Sequence, residues 1–408
     1  MLNWANQFNI FCLLDNHQYN FFYPAFECLL GVGTKKSIIA QAGSAFEQLK
    51  KFSNDNQDWL FGHFGYDLKN EIENLQSDHI DNIGFADMHF FIPEIVIKLS
   101  LHEVTVYTDD EVSILEKIQS QPESLPGPPV NSVKIKSRIS RQQYINDILK
   151  IKKHISRGDC YEINYCQEFF AGNIDVSPLW LYQQLSLVSP NPFAALYKVN
   201  DKFCVCASPE RYLKKQGSKL LSQPIKGTSK RDLQNSLIDE KNKKYFQTSQ
   251  KEKSENVTVV DLVRNDLHKI CKRGSVQVDE LLGIYSFPQV HQMISTVSGI
   301  VEIDIHWTDI IKATFPMGSM TGAPKNKVMQ LIEKYEHTKR GLFSGAIGYV
   351  TPGHDFDFNV VIRSVFYNET NKYLSYSAGS GITYYSNPEK EYEECLLKIA
   401  AFTNILQK

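Results

Sequence analysis

Apolar residues recur along the chain at two spacings, and the order in which those spacings follow one another predicts its architecture. Between residues 92 and 108, IPEIVIKLSLHEVTVYT alternates apolar and polar side chains, the period of half-buried strands, and predicts a strand pair. RQQYINDILKIKKHISRGD, residues 141–159, changes to the helical period: Tyr144, Ile148, Ile151 and Ile155 share one face, and Gly158 supplies a stop. YEINYCQEF (161–169) returns to strand character. KFCVCASP (202–209) and YLKKQGSKLLSQPI (212–225) read as a hairpin turning at Gln-Gly-Ser near Gly217. QKEKSENVTVVDLVRNDL (250–267) and NPEKEYEECLLK (387–398) are helical, the second opened by Asn387 as cap and Pro388 in the first position. FGHFGYDL (61–68) spaces its aromatics with glycines, as in a packed turn. Strand, hairpin and long helix succeed one another without a βαβ rhythm. The predicted class is therefore α+β with largely antiparallel sheets.

The clearest seam is SQPESLPGPPVNS, residues 120–132, where four prolines in eight positions favour an extended linker. It divides the chain into residues 1–120, a linker over 121–136, and a larger part, 137–408. At 408 residues and 42% hydrophobic, the chain can bury a sizeable core. Forty-four basic residues nearly cancel forty-six acidic ones, and no basic stripe carries interleaved aromatics. Nucleic acid is not an expected partner; a small polar ligand is. The opening MLNWANQFNIFCLLDN lacks the basic start and cleavage site of a secretory signal, and no run of eighteen apolar residues occurs. A cytoplasmic protein with no membrane partner is the expectation. Eight cysteines form no CxxC pair, and Cys204 and Cys206 would share one strand face, a poor geometry for a disulfide. Reduced, mostly buried thiols follow.

Chemistry concentrates in a few places. LLSQPIKGTSKR (220–231) sets Lys226 between an apolar strand and a Gly-Thr turn, where it can be a nucleophile, an anion clamp or a plain surface charge. With a three-residue hairpin loop centred on Ser218, Glu210 and Lys226 each lie eight positions from the centre and face one another, about 5 Å apart. An ordinary Glu-Lys pair is the commoner meaning of such a facing. Glu252 and Glu255 share a face of one helix, and Glu391 and Glu394 a face of another. Taken alone, glutamates three apart are more often a solvated face, but on two helices they can hold Mg2+, a hard cation that takes oxygen ligands. FPMGSMTGAPKNK (315–327) lacks the Gly-Lys-Ser/Thr ending of a phosphate loop; Gly322 and Pro324 indicate a turn entering a helix, whose free amides suit a carboxylate. SAGSGIT (377–383) offers Gly379 and Gly381 either for close backbone approach or as a strand bulge.

In order along the chain, SPERY, PIKGT, KSENVTVVDLVRNDL, VHQMISTVSG, GSMTGAPK, GAIGYV, FNVVIRS, SAGSGIT and EYEECLLK resemble the chorismate-utilising enzymes, from about Arg138 to the end. The resemblance implies their fold, of the anthranilate synthase component I type: two large, mainly antiparallel sheets packed face to face with flanking helices, residues 1–120 matching the variable amino-terminal region. Anthranilate and isochorismate synthases typically carry alanine in a PIAGT-like motif. The branch that aminates chorismate toward para-aminobenzoate and folate typically carries PIKGT, as here. The implied reaction adds the Lys226 amine to ring carbon 2 as the carbon 4 hydroxyl departs; ammonia then attacks carbon 4 and expels the lysine, giving 4-amino-4-deoxychorismate. That route needs a neutral amine, and an ordinary lysine is neutral only to roughly one part in two thousand at pH 7, so desolvation is expected to lower the Lys226 pKa.

By the same resemblance Glu210 is the acid for the leaving hydroxyl and the base for the incoming amine. Glu255 and Glu394 look like direct magnesium ligands, with Glu252 and Glu391 supporting through water. Arg363 and Tyr349 look like the clamp on the enolpyruvyl carboxylate. Gly227, Thr228, Ser319, Gly379, Gly381 and Lys398 fall on pocket positions, with His291 a further candidate contact. Two departures sharpen the choice. Gln292 stands where relatives often have histidine, which argues against the proton transfers of anthranilate formation. Glu162 stands where many relatives have glutamine and where isochorismate and salicylate synthases have a water-activating lysine, which argues against water-adding isomerase chemistry. No amidotransferase motif is evident, so a separate glutaminase subunit is expected to supply ammonia and a separate lyase to finish para-aminobenzoate. The runner-up activity is anthranilate formation, and a non-catalytic chorismate-binding subunit the remote one. A pyridoxal phosphate on Lys226 lacks a phosphate-cupping loop.

Overall fold

In a computed structural model of the chain, residues 1–19, 26–108, 111–122, 127–128, 133–287 and 290–406 are described, and the side chains of Glu111, Thr228 and Lys230 are not. The proline-rich stretch lies largely outside them. Two antiparallel sheets dominate, as the pattern predicts. The eleven-stranded sheet runs in the order Gly322–Ala323, Glu162–Gly172, Tyr373–Ile382, Ser364–Asn368, Lys202–Ser208, Phe193–Val199, Ile10–Asp15, Cys28–Val32, Ile95–Leu99, Val104–Tyr107, with Lys136–Ser137 beside Glu162–Gly172. The ten-stranded sheet runs Ile225–Lys230, Val290–Ile300, Lys219–Gln223, Arg211–Gln216, Phe356–Asn359, Ala346–Val350, Leu60–Phe64, Met88–Ile92, Lys36–Ala40, with Gln277–Ser286 also on Val290–Ile300. Strands that precede residue 120 thus extend both sheets.

Alternation explains why the first sheet carries apolar residues on both faces. Strand Ile10–Asp15 sends Cys12 and Leu14 into the core between the sheets and Phe11 and Leu13 into a second core under the helices. Strand Lys202–Ser208 does the same, with Cys204 and Cys206 together on the inner side and Phe203 and Val205 on the outer. All eight cysteines are free thiols, seven of them buried. Helix Arg141–Ser156 covers the outer face with Tyr144, Ile148, Ile151 and Ile155, capped by the Ser140 hydroxyl, which accepts from Gln143 N at 3.2 Å. Gly158 follows in the left-handed region, φ 83°, as the stop requires. Within FGHFGYDL the first residues belong to strand Leu60–Phe64 and the turn begins only at Tyr66. Among the described residues, no helix is long and apolar enough to cross a membrane.

The hairpin register is a correction. The turn has two residues, Gly217 and Ser218, closed by Gln216 opposite Lys219, and a bulge between Arg211 and Lys214 ends the pairing at Arg211 with Gln223. Pro224 then breaks the strand. The chain resumes as Ile225–Lys230 against the same neighbour, Val290–Ile300, where Lys226 faces Met293. Glu210 and Lys226 are therefore not cross-strand partners; a proline cannot carry the ladder through.

Candidate functional site

A cavity of about 990 Å³ opens where the strand carrying Lys226, the Glu210 turn and the helices Gln250–His268 and Pro388–Leu406 meet. Lys226, Gly227, Glu210, Ser319, Arg363, Gly379, Gly381, Lys398, Glu252, Glu255 and Glu394 all line it. Lys226, on a strand, and Glu210, in the turn after Lys202–Ser208, thus reach one space. The Thr228 side chain lies outside the described residues; its backbone pairs with Gln292.

Glycines make the floor. Gly227 has φ 81°, and a Cβ there would fall 2.2 Å from Glu252 Oε2. Strand Tyr373–Ile382 places Gly379 opposite Cys166 and Gly381 opposite Asn164. A Cβ on Gly381 would sit 2.9 Å from Glu162 Oε1 and 3.1 Å from Lys226 Nζ. Close approach, rather than a bulge, is what these glycines serve. The short strand Gly322–Ala323 joins Glu162–Gly172, and the helix Lys325–Tyr335 begins with Lys325 Nζ on Asp266 Oδ2 at 2.5 Å.

At one end of the cavity Lys226 Nζ donates to Glu162 Oε1 at 2.7 Å. Burial works to lower the lysine's pKa, but the charges of Glu162, then Glu255 and Glu210, outweigh it and hold the amine above the ordinary lysine value. The expected depression by desolvation is therefore corrected: the carboxylates around the amine decide its charge. Glu210 is 3% exposed, and burial pushes its carboxyl up to about 7, opposed by Ser319, Lys226, the Ile225 amide and Arg363. Arg363 stands in the left-handed region, φ 51°, and its guanidinium is lowered to about 10 by burial, partly offset by Glu210. With its amide turned so that the oxygen accepts, Gln292 takes hydrogen bonds from Arg363 at 2.6 and 3.1 Å.

At the other end four carboxylates gather. Both helices form as their sequences predict; the Asn387 side chain caps the second by accepting from the amides of Glu389 and Lys390 at 3.0 and 3.2 Å. Lys251 Nζ lies 3.2 Å from Glu391 Oε1, 3.7 Å from Glu255 Oε1 and 4.0 Å from Glu394 Oε2. Lys398 Nζ binds Glu394 Oε1 at 2.9 Å and the Gly379 carbonyl at 2.7 Å. Burial raises Glu255 to about 8 and raises Glu252, whereas Lys398 and Lys251 outweigh burial at Glu394 and lower it. Glu255 Oε1 and Glu391 Oε2 are buried without a hydrogen-bond partner. Among the described residues no three such side chains form a closed cage for a metal. Mg2+, however, ordinarily takes one or two carboxylates and keeps waters, and oxygen donors with unused lone pairs fit it.

Two predicted contacts fall elsewhere. His291 lies on the opposite strand face from Gln292, its Nδ1 2.9 Å from Ser286 Oγ and its Nε2 3.1 Å from Asp239 Oδ1. Tyr349 packs its ring among Phe26, Trp59 and Phe61 and is not among the cavity residues. Sequence reasoning missed Lys251, although its spacing of four from Glu255 was readable, and Asn164 and Cys166, which share a strand face with Glu162.

This constellation can hold a small dianion between a guanidinium and a cation site, beside an amine and a carboxylic acid. The chain belongs to the chorismate binding enzyme family, whose model matches residues 10–404. It is 35% identical over 410 residues to aminodeoxychorismate synthase, chloroplastic, of Arabidopsis thaliana, covering 92% of this chain and 44% of that protein. It is 31% identical to aminodeoxychorismate synthase component 1 of Escherichia coli K12, covering 86% of this chain and 78% of that one. The chain thus spans less than half the plant relative and over three quarters of the bacterial one. Anthranilate synthase component I from Streptococcus pneumoniae shares the fold, with a TM-score of 0.82 at 24% identity over 95% of this chain and 94% of that one.

Proposed function

We propose that the chain aminates chorismate with ammonia to 4-amino-4-deoxychorismate, on the route to para-aminobenzoate, with Lys226 as the nucleophile. The observation that carries this reading is a lysine amine lining the same cavity as a buried carboxylic acid, Glu210, poised near neutral pH. Relatives named aminodeoxychorismate synthase, in a plant and a bacterium, support it. Lys226 attacks ring carbon 2, and Glu210, protonated below about pH 7, gives its proton to the hydroxyl leaving carbon 4. Ammonia then enters at carbon 4, and Glu210 accepts the surplus proton. Arg363, steadied by Gln292, binds the enolpyruvyl carboxylate in a fork geometry, while Ser319 and the cavity glycines leave room for the ring.

Glu255 and Glu394 would hold Mg2+ directly and Glu252 and Glu391 through water; the ion supplies positive charge for the ring carboxylate. A separate glutaminase delivers ammonia, in keeping with the bacterial relative's designation as component 1, and a separate lyase removes pyruvate from the product. The reaction belongs to the cytoplasm in this reading. The test is product identification by mass spectrometry after the pure chain meets chorismate, magnesium and an ammonium salt. Aminodeoxychorismate without anthranilate is expected; anthranilate as the product would replace this reading with the lyase one.

A further inference from the structure

The reaction just described assigns no task to Glu162, yet it is the group closest to the nucleophile. We propose that Glu162 is the positioning residue of Lys226: it aims the amine at the ring and receives the proton the ammonium sheds as its lone pair attacks. This rests on the reading of Lys226 as nucleophile and adds the fate of the first proton.

The geometry carries the assignment. Glu162 Oε1 lies 2.7 Å from Lys226 Nζ, and among the described residues it is the one carboxylate within 4.0 Å of that amine. Glu162 is 3% exposed and does not line the cavity, whereas Lys226 does, so the carboxylate acts through the lysine. Its second oxygen, Oε2, is buried with no hydrogen-bond partner, leaving acceptor capacity in hand. The surroundings are shaped for the pair. Gly322, with φ 146°, passes so close that a Cβ would fall 2.0 Å from the Glu162 carbonyl, which fixes the start of the strand; Gly381 leaves open the space beside Oε1 and Nζ that a methyl group would fill. A buried ion pair is weak evidence of a stabilising role, since well-packed apolar residues do as well. Its place directly behind a reactive amine supplies the other reason to keep one.

The protons balance. The Lys226 ammonium passes one proton to Glu162; the Nζ lone pair bonds to carbon 2, the conjugated double bonds shift, and the carbon 4 to oxygen bond breaks, the hydroxyl leaving as water with a proton from Glu210. Nitrogen is then a secondary ammonium, Glu162 is neutral and Glu210 ionised. When ammonia bonds to carbon 4, the bond electrons between carbon 2 and Nζ return to nitrogen. The freed amine recovers its proton from Glu162, and the new ammonium on carbon 4 gives one to Glu210.

The test is the rate of adduct formation, read by rapid quench and intact-protein mass spectrometry with chorismate and magnesium but no ammonia. Glu162→Gln, which keeps the shape, is expected to slow the adduct about 100-fold while chorismate affinity, measured separately by calorimetry, changes less than about threefold. Gly381→Ala, which drives a methyl group against both partners while leaving both charges in place, is expected to slow adduct formation as well. An adduct rate in Glu162→Gln within about threefold of the wild type, or a loss of chorismate affinity in step with the rate, overturns the proposal. A wild-type chain that turns over chorismate without any adduct removes the nucleophile itself, and the proposal with it.

Discussion

The two ends of the cavity handle buried charge in opposite ways. Around Lys226, two cations, Lys226 and Arg363, stand against two carboxyl groups, Glu162 and Glu210, and the cations have close partners within the protein. Between the helices, Lys251 and Lys398 are the cations within 4.0 Å of Glu255, Glu391 and Glu394 among the described residues. The charge of Lys226 also reaches Glu252, Glu255 and Glu394, and two of the glutamate oxygens have no hydrogen-bond partner. Leaving a buried acceptor unpaired costs about 1–3 kcal/mol, a cost that a cation between the helices would offset in the function proposed above. At the lysine end Glu162 Oε2 is likewise buried without a hydrogen-bond partner, but each cation there has a close partner in the protein. In the proposed reading, the contrast separates carboxylates that would share an ion from an amine that neighbouring carboxylates hold protonated.

The largest expected effect breaks the lysine end. Lys226→Ala strands Glu162 in a buried place and should cost about 3–5 kcal/mol of stability, read as a lowered Tm; adding Glu162→Gln to that variant should recover part of the loss. Next, Lys251→Met removes a cation that lies within 4.0 Å of three of the glutamates, so the variant's Tm should fall in a chelator and rise again with magnesium. At one hundred times Kd a bound ion stabilises by about 2.7 kcal/mol. A variant indifferent to magnesium would place the ion elsewhere.

A smaller effect concerns pH. Burial raises the Glu210 pKa from 4.5 to about 7, so its neutral form is favoured by folding. Its part of the stability is whole below about pH 4.5 and is lost as pH rises through about 7, at no more than ~1.4 kcal/mol per unit. Comparing Tm at pH 5 and pH 8 should show a drop that Glu210→Gln diminishes. The smallest effect is that of Tyr349→Phe: the ring packs among aromatics outside the cavity, and the KM for chorismate should stay within about twofold. A larger rise would return the tyrosine to the substrate.

Much of this was legible in the residues because it depends on local period. The helical glutamates, the Asn387 cap, the shared face of Cys204 and Cys206 and the antiparallel character of the sheets all follow from spacing along a single element. What spacing could not give was the meeting of elements. Pro224 ends the pairing with the Arg211–Gln216 strand before Lys226 is reached, so Lys226 pairs with Met293 instead of Glu210, and Gln292, not His291, lines the cavity. The charge state of Lys226 was misjudged for a related reason: burial alone argues for a neutral amine, and only the fold brings Glu162 from a strand sixty-four residues away to reverse it.

The most direct test of the central claim is peptide mapping of the pure chain after incubation with chorismate and magnesium in the absence of ammonia. The account predicts that the peptide containing Lys226 carries the mass of chorismate less one water, and that ammonium salts discharge it as aminodeoxychorismate. Steady formation of aminodeoxychorismate with that peptide never modified, or undiminished turnover in Lys226→Ala, would contradict it.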